Sequence, residues 1–344
     1  MTDRSPEPAS SHAAPGRVVW INGRYVPEAQ AGVSIFDSAL MFGDMVFEMT
    51  RSFNRRQFKL REHLDRLYRS MKMLRIEVNM TVADMEATVL QAIDHNRPAV
   101  GEDDEDRVMV NVSRGPLAMY RPVFGGSVEP TVIVSVFPLS WTLGAVGHLY
   151  DQGIHAVTPA QRNIPAQLLD PKIKNRSRLH YMVANLQVSL VNDPNAWALL
   201  LDPEGFVSEG TGSNFFLVRD GELLTPEPRN ILRGITRQHT MDLAKKLGIT
   251  VRESNLELYD VVNADEAFFT ATPFTILPCT KINGATIGGG RTGPMTRKLI
   301  DAWSADVGVD IVEQAKRFAQ RTASVTGGGS SMYRFTATDA PKPK

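Results

Sequence analysis

The chain has 344 residues, 38 basic and 38 acidic side chains, and therefore a formal net charge of zero; 42% of its residues are hydrophobic. That length suits about two domains with substantial cores, and the zero charge excludes a general nucleic-acid binder, which needs a basic excess to meet phosphates. The single cysteine, Cys279, excludes an intrachain disulfide and a multi-cysteine zinc site, and no run of about 18 apolar residues marks a membrane span. Residues 1–17 lack the apolar core of a secretory signal, so a soluble cytoplasmic protein is expected.

Residues 1–17 and 322–344 are rich in Pro, Ser, Ala, Gly and Thr. Such stretches bury too little apolar area to offset their ordering entropy, so both read as loose tails. Between them, Val18 to Val26 reads as a hairpin turning at Asn22-Gly23. Met45 to Phe53 reads as a strand ending in a turn at Asn54-Arg55-Arg56-Gln57. Leu60, Leu64, Leu67, Met71 and Leu74 fall at helical spacing on one apolar face. A second helix begins at Thr81 with Asp84 in its first turn, and residues 101–106 (GEDDED) read as an acidic surface turn. Arg107 to Val112 and Thr131 to Phe137 are β-branched and read as buried strands, and Gly144 and Gly147 read as a hinge between domains.

Ile154 to Thr158 opens the second half as a short strand. Lys174 to Leu190 has helical composition and is closed by Asp193-Pro194. Ala196 to Asp202 and Phe215 to Val218 are strands, with a turn at Asp220-Gly221. Thr236 to Leu247 is a helix stopped by Gly248. Ile282 to Ala285 is a hairpin, and Gly293-Pro294 opens a last helix. Strands and helices mix without strict alternation, which predicts an α+β fold rather than a doubly wound sheet. The domains are expected at 18–143 and 144–321.

Singly, the chemical signals are open to two readings. Lys174 suits a Schiff-base lysine if its neutral amine is accessible, with Lys172 or Arg176 supplying the cation that keeps it so; otherwise it is a surface lysine. Glu209, in Val207-Ser208-Glu209-Gly210-Thr211-Gly212-Ser213-Asn214, suits a carboxylate against a cofactor ring, or sits in an ordinary polar loop between strands. Ile235 and Thr236 stand where a helix begins and free N–H groups bind anions, or Thr236 is a plain cap. Thr270-Ala271-Thr272-Pro273, after the apolar strand Ala267-Phe268-Phe269, offers similar donors or is a strand-ending turn. Arg66 suits a phosphate fork, or is a solvated helix arginine paired with Glu62. His63 reads as a packing or capping residue and Cys279 as a buried thiol. The Gly288-Gly289-Gly290 cluster lacks the Lys-Ser/Thr of a phosphate loop and is rejected as one.

Taken in order, these segments resemble the fold-type IV pyridoxal-phosphate enzymes, a family of branched-chain, D-amino-acid and (R)-amine transaminases and of 4-amino-4-deoxychorismate lyase. The resemblance runs from about Trp20 to Val307. It rests on Phe42-Gly43-Asp44-Met45-Val46-Phe47-Glu48, His63-Leu64-Asp65-Arg66-Leu67, Ile173-Lys174-Asn175, the 208–214 run, Gly234-Ile235-Thr236-Arg237 and Gly-Arg-Thr-Gly-Pro at 290–294. It implies a small N-terminal α/β domain and a larger C-terminal domain with a pseudo-barrel β core, pyridoxal 5′-phosphate between them, and no metal. By family position it implies Lys174 as the catalytic Schiff-base lysine, Glu209 on the pyridine nitrogen, and Arg66, Ile235, Thr236 and Thr272 around the phosphate. It further implies ping-pong transfer from an amino donor to a 2-oxo acid, and a homodimer in which Arg114 to Gly126 of one subunit closes the other's site.

Met49 stands where branched-chain enzymes usually carry Gly, and Leu179 where they usually carry Tyr five residues beyond the lysine. The Arg-x-His trap of D-amino-acid transaminases is not reproduced in residues 114–121. The expected pocket residues are Phe47, Met49, Arg114, Met119 and Arg121, with Arg114 or Arg121 free to bind a carboxylate or to be structural. The methionines would give an adaptable apolar wall. An amino-acid or hydrophobic (R)-amine transaminase is therefore expected. The alternatives are a strict branched-chain enzyme, a lyase of the aminodeoxychorismate type, or a non-catalytic cofactor-binding protein.

Overall fold

The computed structural model describes residues 16–326, with side chains to 321; the expected loose tails lie almost wholly outside these. The N-terminal half builds one antiparallel sheet from β1 (Val18–Ile21), β2 (Arg24–Pro27), β3 (Met45–Phe53), β4 (Arg56–Gln57), β5 (Asp106–Ser113) and β6 (Thr131–Pro138), in the order β2-β1-β6-β5-β3-β4. After α1 (Ser38–Phe42), the helices α2 (Leu60–Leu74) and α3 (Val82–Asn96) cover one face of this sheet. Leu64, Leu67 and Met71 of α2 meet Val46, Val108, Val110 and Val134 of the strands in one buried cluster, as the helical spacing requires. Thr81 and Asp84 form a reciprocal capping box at the start of α3.

Two short helices, α4 (Ser140–Leu143) and α5 (Leu149–Gln152), lead to the second sheet. Its strands are β7 (Ile154–Val157), β8 (Ala196–Leu201), β9 (Val207–Gly210), β10 (Asn214–Arg219), β11 (Glu222–Pro226), β12 (Val251–Ser254), β13 (Glu266–Ala271) and β14 (Thr275–Ile282), with β15 (Ala285–Thr286) hairpinned onto β14. The order is β12-β11-β10-β13-β14-β7-β8-β9. The last strand, β9, is joined to β10 by a tight turn in which the Gly210 N–H donates to Ser213 O at 2.8 Å. Helices α6 (Leu179–Ser189), α7 (Ile235–Lys246), α8 (Leu258–Val262), α9 (Pro294–Val307) and α10 (Ile311–Thr326) complete the chain. The core is aromatic: Phe215, Phe216, Phe268, Phe269 and Trp303 are all almost fully buried. Cys279 is buried with them, and burial pushes its thiol up to about 12. The fold is α+β.

Several local expectations change. The 54–57 turn is only Asn54-Arg55, both at positive φ, because Arg56 and Gln57 already pair with β3. The stretch 101–106 is a surface turn only through Asp103. Asp104, Glu105 and Asp106 are buried, Glu105 accepting Asn54 N–H at 2.8 Å and Asp104 accepting Ser140 N–H at 3.1 Å. Gly147 lies in a close contact: a Cβ there would meet Ala315 O at 2.6 Å and Ala319 Cβ at 2.9 Å, so glycine lets α10 approach. The run 207–210 is strand β9 and not loop. The helix opened by Pro294 is followed by α10, which continues through residue 326, beyond the expected tail boundary. Among the described residues no helix is long and apolar enough to cross a membrane.

Candidate active site

The helix expected from Lys174 begins only at Leu179, because residues 174–176 spend their backbone groups on β3. Phe47 N–H donates to Lys174 O at 2.9 Å, Arg176 N–H donates to Met45 O at 2.8 Å, and Val46 and Asn175 form a bridge. The Asn175 side chain fixes the turn, donating to Ile173 O and accepting the Ser177 N–H, both at 2.9 Å. This added strand-like segment aims Lys174 into a cleft holding about 470 Å³ of empty space, which Arg66, Arg178, Tyr181, Glu209, Asn214, Thr270 and the start of α7 also line. Lys174 Nζ stands 4.9 Å from the centroid of Phe47.

Enclosure in the cleft, with Arg178 and Arg66 close by, holds the Lys174 amine well below its ordinary value, against the opposing pull of Glu48 and Glu209. The cations are not the expected ones. Lys172 pairs outside with Asp170 at 2.8 Å, and Arg176 donates to Asn111 Oδ1 at 2.5 Å.

Glu209 projects from β9 opposite. Its carboxylate accepts Tyr181 Oη–H at 2.9 Å, Leu232 N–H at 2.9 Å and Asn214 Nδ2 at 3.1 Å. Burial pushes this acid up, and those donors hold it back. Gly234 makes the arrangement possible: a Cβ there would lie 2.1 Å from Asn214 Oδ1.

At the other end of the cleft, α7 begins with Gly234 at its N-cap and no side-chain cap, so Ile235 and Thr236 present an anion-attracting helix terminus. Arg66 stands beside it. It is buried and is not paired with Glu62: Nε and Nη2 donate to Glu48 at 2.5 and 2.7 Å, and Nη1 to Arg233 O at 2.8 Å. His63 Nδ1 shares Glu48 at 2.7 Å. Thr272 follows β13 into the cleft wall. Thr270, 1% exposed, has a hydroxyl without a hydrogen-bond partner among the described residues.

Of the expected pocket residues, Met49 lines the cleft and Phe47 supports Lys174 from beneath. Arg114, Met119 and Arg121 are not brought to this cleft. Arg114 donates to Asp44 at 2.7 Å and to the carbonyls of Leu74 and Arg75; Met119, 73% exposed, and Arg121 lie on an exposed 3₁₀ turn over Ala118–Phe124.

Sequence reading alone does not single out Glu48, Arg178 or Tyr181. Nor does it single out Arg107, which lines an adjoining cavity with Met49, Thr142, Trp197 and Phe274. Tyr181 lies in the first turn of α6 and carries no motif; Glu48 stands only as the last residue of the 42–48 run.

A planar ring bearing a phosphate, an aldehyde and a basic nitrogen fits these groups: an anion-attracting helix end, an amine held below its ordinary pKa, a carboxylate and an unsatisfied buried hydroxyl. The comparisons agree with that chemistry. The family model described as "Amino-transferase class IV" matches residues 45–282. A Methanocaldococcus jannaschii protein with a provisional branched-chain-amino-acid aminotransferase name is 37% identical over 82% of this chain and 93% of its own. The D-alanine aminotransferase of Bacillus licheniformis is 29% identical over 82% of this chain and 94% of its own. A solved branched-chain amino acid aminotransferase of Escherichia coli superposes with a TM-score of 0.74 at 30% identity, covering 86% of this chain and 94% of that one. The chain belongs to the class IV aminotransferases, a family of pyridoxal-phosphate-dependent enzymes that transfer amino groups.

Proposed function

We propose that the enzyme acts in the cytoplasm, moving an amino group between a hydrophobic amino acid or hydrophobic (R)-amine and a 2-oxo acid. Pyridoxal 5′-phosphate would be held by Lys174, Glu209, Arg66, Ile235, Thr236 and Thr272. The observation that carries this reading is one cleft in which a lysine amine with a depressed pKa faces a buried carboxylate, beside an apolar cavity walled by Met49, Trp197 and Phe274.

The cofactor supplies an electron sink for the carbanion formed at the substrate Cα. Lys174 Nζ, its pKa held down in this enclosure, takes the proton from the donor's Cα and, in the reverse half-reaction, delivers one to the Cα of the new amino acid. Glu209 would keep the pyridine nitrogen protonated, its carboxylate fixed by three donors. The α7 terminus, Thr272 and Arg66 would hold the phosphate and so would confine proton transfer to one face. Two half-reactions through one site give ping-pong kinetics.

The domains would divide at 143/144. The exposed apolar side chains of Ile35, Leu40, Phe42, Met119 and Val123 suit a homodimer in which residues 114–126 reach the other subunit's site. The relatives' names favour a second reading, a strict branched-chain enzyme.

Borohydride trapping and peptide mapping tests the site; the tag belongs on Lys174. A donor panel of D-alanine, L-leucine and (R)-1-phenylethylamine tests the substrate class. Turnover of L-leucine and its relatives alone establishes the branched-chain reading instead, and pyruvate release without a 2-oxo acceptor establishes a lyase.

A further inference from the structure

The charges of the cleft do not balance within the protein. Arg66 is neutralised by Glu48, and Glu209 is occupied by Tyr181, Asn214 and Leu232. Three basic side chains crowd the ring of Phe47: Lys174 Nζ at 4.9 Å, Arg176 Cζ at 3.7 Å and Arg178 Cζ at 4.8 Å. Arg176 is answered by Asn111. Arg178 is not answered.

Its Nε donates to Asn175 O at 2.8 Å and its plane rests against Phe47 and, at 5.2 Å, Tyr181. Among the described residues, neither terminal nitrogen has an acceptor and no carboxylate stands at ion-pair distance. A guanidinium stays charged at any working pH. Held half-buried beside a second amine, it is unfavourable until an anion arrives. The side chain is also fixed in advance, by one carbonyl and two rings, which lowers the entropy cost of engaging a ligand.

We propose that Arg178 binds a negatively charged oxygen of the ligand that reacts at Lys174, and so sets the placement of that ligand. This deepens the proposed function and rests on its reading of Lys174. Two oxygens have the required chemistry: the carboxylate of the amino or 2-oxo acid, and the ring hydroxyl oxygen of the cofactor in its anionic form. A bidentate fork suits the first, and a single charge-assisted bond the second.

The test uses the holoenzyme and its R178Q and R178K variants, with R178M, which keeps the stem packed on Phe47, if R178Q does not fold. Two readouts separate the sources. One is inhibition by 4-methylpentanoate compared with its neutral amide, together with KM for L-leucine or D-alanine. The other is the pH midpoint of the visible absorbance of the bound cofactor. A loss of about tenfold or more for the acid but not the amide, with KM rising in parallel, assigns Arg178 to the substrate carboxylate. A midpoint displaced by about one pH unit or more, with inhibition unchanged, assigns it to the ring oxygen. Partial recovery in R178K supports either assignment, since the charge returns without the fork. If a variant still tagged at Lys174 by borohydride moves neither quantity, the proposal is overturned. A wild-type protein tagged at another lysine overturns the reading of the cleft, and this proposal with it.

Discussion

Glu48 is the point at which the anion end of the cleft is most exposed to a single substitution. The side chain has no solvent contact and accepts Arg66 twice, at 2.5 and 2.7 Å, and His63 at 2.7 Å. Burial alone would raise this acid, but the Arg66 guanidinium and the His63 bond hold it far below the usual carboxylate range. Glu48→Gln removes the charge and turns half of the acceptor into a donor facing donors. Arg66 is then buried without a counter-charge. Breaking a buried pair from one side costs about 3–5 kcal/mol, and an amide that keeps one acceptor belongs at the lower end, about 3 kcal/mol. In a domain of this size that lowers Tm by roughly 6–12 °C. Arg66 also tethers Arg233 O, next to the start of α7, so cofactor affinity falls with it, by about tenfold. Thermal unfolding with and without cofactor, plus a fluorescence titration of cofactor binding, reads both effects. A depressed folded pKa stabilises above the unfolded value, and the contribution is lost as pH falls through the folded one. The gap between wild type and variant is therefore flat from about pH 6 to 8 and narrows below about pH 4. Unchanged Tm and unchanged affinity refute the argument; a fall in Tm alone detaches Arg66 from the anion end.

Three further changes test other parts. Glu209→Gln is expected to lower kcat by about a hundredfold or more with only a modest loss of cofactor affinity, measured by steady-state turnover and titration; unchanged turnover removes Glu209 from its assigned role. Burial raises Asp106 to about 6, against the attraction of Arg55, and its oxygens have no hydrogen-bond partner among the described residues. Between the unfolded value and about 6 the native state holds the extra proton, so stability falls as pH rises. Asp106→Asn is therefore expected to be the more stable form at pH 7.5, by at most about 3 kcal/mol; parallel Tm profiles from pH 4.5 to 7.5 refute this. Gly147→Val drives a side chain into Ala315 O and Ala319 and is expected to cost about 1–3 kcal/mol, seen as a lower denaturant midpoint.

The elements legible in the sequence are those whose signals are local. The Asn22-Gly23, Asp220-Gly221 and Asn283-Gly284 turns all adopt positive φ at both positions, as two-residue hairpins demand. The α2 stripe and the Thr81 capping box likewise need only neighbours a few residues away. What is illegible depends on partners far along the chain. Asp104 to Asp106 read as solvated because five acidic residues in a row usually are. Nothing within that run shows that Ser52, Asn54 and Ser140 would enclose it. Arg66 reads as a surface residue paired with Glu62 for the same reason, since Glu48 lies on a different element. The family motifs locate Lys174, Glu209 and the start of α7. They are silent on Arg178 and Tyr181, which become recognisable only once α6 starts at Leu179 and not at Lys174.

That late helix start also gives two neighbouring lysines different environments. Lys172 and Lys174 lie two residues apart in one basic loop, and by composition either could be the reactive amine. Pairing with β3 settles the difference in environment. Lys174 gives its carbonyl to Phe47 and turns its amine into the enclosed side, where Arg178 and Arg66 oppose protonation. Lys172 remains outside, donating to Asp170 at 2.8 Å and to Arg229 O at 3.0 Å, with an anion that favours the charged form. A nucleophilic amine needs its lone pair free near neutral pH. Of the two, only the residue that gives up its place in a helix to bridge a strand acquires that environment. A change that frees the 173–177 segment from β3, such as Asn175→Ala, removes the side-chain bonds to Ile173 and Ser177 and should raise the pH at which borohydride-trappable cofactor forms. A trapping profile identical to wild type would show that the enclosure, and not this segment, sets the lysine's reactivity.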